Sequence, residues 1–235
     1  MKLRYFVLIF FSISAFGQAD PEDFIDRDIL EIGLIVDVPT GLHREKLKSN
    51  YISTNAPGMT FAYMVNPGFK KDKLSSIFLG GEFGFVGSKQ SDFSNPPPDG
   101  DFFMNHRTVW LQFKGRYLPV IVPQKYFPHI DFSVGPVMYF SNMVENLGED
   151  ELDKFYNYKD TAINAKIEAG MQFNLRKDRK PYTFFGISLG FSASNPVKML
   201  NRNKVGFDSD FNVIEAVNSH NPRGLYLRAT FSSYR

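Results

Sequence analysis

Carboxylates and cations recur in this 235-residue chain at alternate positions of otherwise apolar stretches. Glu31, Asp37, Glu82, Asp131 and Glu168 are the acids in this setting, and Lys114, Arg116, Lys166 and Arg228 are the bases. Charges taken out of water are tolerated only when they are paired. With the two signs nearly balanced, the chemistry expected is a ladder of ion pairs along one shared face. Glu31, Glu82, Lys114, Arg116, Asp131, Lys166, Glu168 and Arg228 are the residues assigned to that ladder. Its role is structural and not turnover.

Nucleophilic chemistry has weaker support. His43, His106 and His220 fall in or beside long connections, with Ser219, Asp101 and Asp208 as nearby hydroxyl and carboxylate sources. A Ser-His-Asp relay needs its atoms within hydrogen-bond reach, and neighbouring side chains such as those of Ser219 and His220 do not converge on one another. The three imidazoles are expected to be solvated, and no catalytic residue is assigned. His129 alternates into the polar face and is expected as a hydrogen-bonded interior residue. Between Glu145 and Asp153 lie five carboxylates, Glu145, Glu149, Asp150, Glu151 and Asp153. They lack the ligand order of a calcium-binding hand and read as a solvated acidic loop. No cofactor site and no metal site is expected.

The elements that position these residues are β-strands. Ile163 to Leu175 shows it best: every odd position is apolar, and every even one is polar, charged or Gly. Strand side chains alternate between two faces, so the segment has one greasy side and one side carrying Lys166 and Glu168. The same period-two pattern predicts strands over Ile29–Val38, Met59–Asn66, Ile77–Gly87, Arg107–Leu118, Tyr126–Phe140 and Tyr182–Ser192, with an eighth centred on Leu225–Phe231. Connections after the second, fourth and sixth strands are short. Those after the first, third, fifth and seventh are long, and the last of them mixes polar residues with Met199, Leu200, Val205, Phe207, Phe211, Val213 and Ile214, a composition suited to a lid or a partner surface.

Transmembrane barrels have short turns on one side and long loops on the other. The fold class expected is all-β: an eight-stranded antiparallel up-and-down transmembrane β-barrel. Two orientations fit the pattern. A soluble carrier barrel would line its cavity with the apolar face; a membrane barrel reverses this. Small inward positions (Gly33, Gly80, Gly84, Gly135, Gly170, Gly186, Gly190) and the absence of a Gly-x-Trp motif near the first strand favour the reversed form.

Residues 1–17 read as a secretory signal, with Lys2 and Arg4 before an apolar stretch and Ala15-Phe16-Gly17 as a cleavage site. Residues 18–28 are then a short periplasmic segment and 29–235 the barrel. The chain has no cysteine, which removes disulfides and lipidation at a mature N-terminal Cys. A net charge of +2 gives no reason to expect nucleic acid. Phe accounts for 25 residues and Tyr for 11, a supply suited to an apolar outer wall with aromatic girdles.

The signal end Phe16-Gly17-Gln18, the opening Glu31-Ile32-Gly33-Leu34 closing in Val38-Pro39-Thr40-Gly41, and the final Gly224-Leu225-Tyr226-Leu227-Arg228-Ala229-Thr230-Phe231 carry a resemblance. The chain resembles the small eight-stranded outer-membrane barrels of Bacteroidota, akin to OmpX and the OmpA transmembrane domain. Its last strand resembles the signal read by the barrel-insertion machinery, although it continues to Tyr234-Arg235. The resemblance implies an outer-membrane protein of a Gram-negative bacterium, in contact with lipid and lipopolysaccharide. It implies a structural or interaction role in the cell envelope, through outer loops whose protein partner is unknown, accessory to secretion or adhesion. A barrel this narrow is filled by its own side chains, so a general porin is not expected. An enzyme acting on lipid A and a narrow ion path remain the alternatives.

Overall fold

The computed structural model describes residues 28–49, 55–67, 76–90, 101–119, 125–146, 152–175, 182–200, 206–207, 213–214 and 217–234. The signal and the segment after it (1–27), the basic turns at 70–73 and 176–180, the prolines at 96–98 and the tip of the acidic stretch (147–151) lie outside the described residues.

Eight strands form a closed barrel: β1 (Asp28–Pro39), β2 (Ala56–Val65), β3 (Ile77–Gln90), β4 (Asp101–Tyr117), β5 (Tyr126–Asn146), β6 (Leu152–Asn174), β7 (Tyr182–Ser194) and β12 (Arg223–Tyr234). Every neighbouring pair is antiparallel, and the ring closes where β1 meets β12, from Ile29 opposite Tyr234 to Pro39 opposite Gly224. Closure leaves no sheet edge within this ring. One end carries the β2–β3, β4–β5 and β6–β7 connections (the turn end); the other carries the remaining four (the loop end).

The period-two pattern is realised as alternation of exposure. Leu34, Leu111, Leu189 and Phe231 point outward and are 63%, 63%, 59% and 60% exposed, whereas Glu31, Glu82, Lys114 and Arg228 are at most 1% exposed. The apolar face is the outer wall and the charged face is the interior. The carrier-like arrangement, with apolar side chains lining the cavity, is therefore not the one adopted.

Three features depart from the sequence expectation. First, the residues after Pro39 form a helix, α1 (Gly41–Ser49), where a polar loop was expected. Gly41 enters it with φ of 54°, a left-handed conformation that glycine adopts without a Cβ penalty. Second, β4, β5 and β6 run to 17, 21 and 23 residues, absorbing much of the supposed acidic loop into a tall hairpin with a register shift at Met143/Val144. Above an apolar band both faces of a strand meet polar surroundings, so alternation fades while pairing continues. Third, the last long connection holds two small hairpins, β8 (Val197–Leu200) with β11 (Val217–His220), and β9 (Gly206–Phe207) with β10 (Val213–Ile214).

The interior is layered. At the turn end Ile29, Met64, Phe78, Leu118, Phe127, Phe184 and Tyr234 form a buried apolar plug with edge-on aromatic contacts. At the loop end Ile35, Val86, Trp110, Val137, Tyr139 and Tyr226 of the wall pack with Leu47 of α1 and with Val197 and Met199 of β8. The charged residues lie between these layers. An inward face read as uniformly polar thus has apolar ends.

Candidate functional site

Inward positions on six strands bring the charges to one level. Lys114 Nζ lies 2.9 Å from Glu31, 3.0 Å from Glu82 and 3.0 Å from Asp131. Arg116 grips Asp131 through two nitrogens, Nε at 2.7 Å and Nη2 at 2.6 Å, and reaches Glu31 at 2.6 Å. Arg228 bridges Glu82 and Glu168, each at 2.5 Å. Lys166 sits 3.4 Å from Glu82 and 3.5 Å above the Trp110 ring. The indole N–H of Trp110 donates to Glu82 at 2.9 Å. All eight residues assigned to the ladder are brought together, four carboxylates against four cations, in one buried net-neutral layer. Asp131 and Glu168 face one another across β5 and β6, and the like charges are held apart by giving each its own guanidinium. Bidentate and charge-assisted contacts of this kind offset the desolvation of burying ions.

Glycine creates the room. A Cβ at Gly84 would overlap the Trp110 indole, and one at Gly190 would overlap the Tyr226 ring. Each glycine is paired with that aromatic residue on the neighbouring strand, so the large ring lies across a position that carries no side chain.

His129, Asp131 and Glu168 place ligand atoms within 4.8 Å of one another, and all three are buried. Both Asp131 oxygens bind Arg116, and Glu168 Oε2 binds Arg228. A divalent cation there would face Lys114, Arg116 and Arg228 at close range, so the donor set does not suit one. His129 is inside as expected, yet its Nδ1 has no hydrogen-bond partner.

The histidines expected to be solvated are not. His43, His106 and His220 are 7%, 6% and 5% exposed and gather at the loop end. His43 Nδ1 and His220 Nε2 are 2.9 Å apart, joining α1 to β11. Burial, with the nearby imidazoles of His220 and His106, pushes the His43 pKa down to about 3. His106 Nδ1 meets Ser141 Oγ at 2.9 Å, while its Nε2 is buried without a partner. A relay through His106 would need a carboxylate at that second nitrogen, so the pair is not a triad. Ser219 points outward, and Asp208 lies outside the described residues.

Beneath α1 and the β8/β11 hairpin is a cavity of about 80 Å³. Ile35, Val86, Val137 and Met199 form apolar walls, and Trp110, Lys166, Asn164, Asp37, His43 and His106 also border it. Sequence reasoning missed this chamber because its roof is supplied by connections that carry no period-two signal.

No protein-family model and no curated protein matches the chain. Among solved structures, that of Ail, the attachment invasion locus protein of Yersinia pestis, is similar at 9% identity and a TM-score of 0.45, covering 89% of this chain and 99% of that one. Neisserial surface protein A is similar at 10% identity and a TM-score of 0.39, covering 88% and 97%. The outer membrane protease OmpT from Escherichia coli is similar at 8% identity and a TM-score of 0.35, covering 94% and 98%.

Proposed function

We propose that the chain is an integral outer-membrane β-barrel protein with a closed lumen, serving the cell envelope as a structural or interaction-bearing element and not as a general porin. The observation that carries this reading is the inverted distribution of polarity: an exposed apolar wall around a buried, ion-paired interior. In water that wall would be a very large exposed hydrophobic patch, which soluble monomers avoid; in lipid it is the solvated surface. Among the described residues no helix is long and apolar enough to cross a membrane.

Within this reading the chain is exported by residues 1–17, is inserted by the barrel-assembly machinery, and stands among small barrels of the Bacteroidota type on the strength of its closing strand, Gly224–Phe231. Lipid and lipopolysaccharide surround it, and the tall β4–β6 wall with the loop-end hairpins is where a protein partner meets it. Extraction and reconstitution test the reading together. The protein should partition into detergent, migrate differently on a gel before and after boiling, and leave a planar bilayer electrically silent. Recovery in the aqueous fraction without detergent would overturn the membrane reading; steady conductance would overturn the closed lumen.

A further inference from the structure

The chamber at the loop end has an electrostatic asymmetry that the ion-pair layer does not resolve. Glu82 receives Arg228 at 2.5 Å, Lys114 at 3.0 Å and the Trp110 indole at 2.9 Å, which leaves Lys166 the most distant of its cations at 3.4 Å. An ammonium carries three N–H donors. Besides that long contact, Lys166 rests on the Trp110 face and borders the cavity. His106, 94% buried by its 6% exposure, borders the same cavity with an unsatisfied Nε2. When the Ser141 hydroxyl donates to Nδ1, the imidazole hydrogen sits on Nε2 and becomes a donor lacking an acceptor. A buried donor without an acceptor is costly; together with the ammonium of Lys166, whose contact with Glu82 spans 3.4 Å, it defines the head group that would fit.

The rest of the lining defines the body. Ile35, Val86, Val137 and Met199 present aliphatic and thioether surface, and a volume of about 80 Å³ leaves room for a short branched body at most and none for a long acyl tail. The roof is separable from the barrel wall: Leu47 comes from α1, and Val197 and Met199 from β8. The His43–His220 hydrogen bond ties α1 to β11, the strand paired with β8, over the chamber.

We propose that this chamber is a binding site for a small carboxylate with a short branched apolar body, its carboxylate received by Lys166 Nζ and His106 Nε2–H and its body held by Ile35, Val86, Val137 and Met199. The chemistry is shared by short branched fatty acids and by apolar amino acids. Asp37, half-buried on the same wall and within reach of the Lys166 charge, separates them: its carboxylate would pair with an α-ammonium and would repel an acid that lacks one.

Trp110 is the only tryptophan in the chain, so its emission reports the chamber directly. Full-length protein refolded in detergent micelles is titrated with isocaproate, with L-leucine, and with isohexanol as the neutral counterpart. A saturable emission change is expected for a carboxylate, with the alcohol binding at least about tenfold more weakly because it lacks the charge-assisted contacts. Tighter leucine binding assigns the site to amino acids; tighter isocaproate binding assigns it to fatty acids. Val137→Phe fills the chamber from a position outside the ion-pair layer, and should abolish saturation while the heat-dependent gel shift persists. Lys166→Gln should erase the preference of the carboxylate over the alcohol. The proposal is overturned by an absence of saturable response to either carboxylate, by equal affinity for isohexanol, or by wild-type binding in Val137→Phe.

Discussion

Replacing Glu82 by Gln keeps its shape and removes one negative charge from the centre of the barrel. Glu82 is fully buried and touches three cations, Arg228, Lys114 and Lys166. The layer then holds three carboxylates against four cations, with a net positive charge cut off from water. Breaking a buried ion pair from one side typically costs about 3–5 kcal/mol. The lower part of that range applies here. Lys114 keeps Glu31 and Asp131, and Arg228 keeps Glu168, so only Lys166 loses the carboxylate it touches. A loss of about 3 kcal/mol is expected for Glu82→Gln. Adding Lys166→Met restores three against three, and the double variant should recover about 1–3 kcal/mol relative to the sum of the single losses. Urea unfolding of protein inserted in lipid vesicles, followed through Trp110 emission, measures both quantities, because the indole itself donates to Glu82. The reasoning fails if Glu82→Gln lies within about 0.5 kcal/mol of the parent, or if the single losses simply add. Either result would mean that water enters the lumen and screens the charges.

Three further outcomes follow from the same geometry. Leu111→Arg places a charge on an outward side chain that is 63% exposed; if lipid surrounds it, insertion into vesicles should weaken by about 2–4 kcal/mol, whereas stability in vesicles equal to the parent would refute a lipid-facing wall. Gly84→Ala should shift Trp110 emission and cost about 1–3 kcal/mol by overpacking, while Gly81→Ala, whose nearest neighbour to a new Cβ is 3.8 Å away, should do neither. Docking of α1 should depend on pH. His43 is held at about 3 when docked against 6.5 when free, so the undocked state binds the proton better. Docking is then complete above pH 6.5 and weakens as pH falls from there towards 3. Amide exchange over Gly41–Ser49, corrected for its intrinsic pH dependence, should quicken between pH 7.5 and pH 5, and His43→Gln should flatten that response; equal protection at both values would dismiss the linkage.

What could be read in the residues follows from which forces leave a local trace. Alternation at period two records which side of a strand meets an apolar medium, so Ile163–Leu175 and Leu225–Phe231 were legible at a glance. So was the balance of Glu31, Glu82, Asp131 and Glu168 against Lys114, Arg116, Lys166 and Arg228, because charge on an inward face has few stable outcomes other than pairing. Contacts made at long range leave no such trace. His43 and His220 stand 177 positions apart, and each sits in a segment whose composition says loop. Helix α1 was invisible for a related reason: among its described side chains the buried ones, His43 and Leu47, are four apart on a nine-residue element, too short for a helical period to declare itself. The apolar plug at the turn end was overlooked because Phe78, Phe127 and Phe184 each interrupt alternation next to an outward apolar neighbour. There a run of greasy residues looks like the end of a strand and not like a stopper.

Layering is what gives the lumen its character. An ion ladder open to water at both ends would exchange partners with solvent ions, and its pairs would be screened and weak. Here the turn end is closed by side chains such as Phe78, Phe127 and Phe184, each 0% exposed, and the loop end is roofed by α1 and β8. The charges are thereby held where pairing is strong and misfit is expensive. An ion crossing the barrel would have to displace the aromatic plug and then compete for Arg116 or Arg228 in contacts of 2.5–2.7 Å. The closed lumen proposed for this barrel rests on the order of the layers and not on bore alone. By the same logic Lys166, held to Glu82 by a contact of 3.4 Å, lies against a chamber beside α1 and β8.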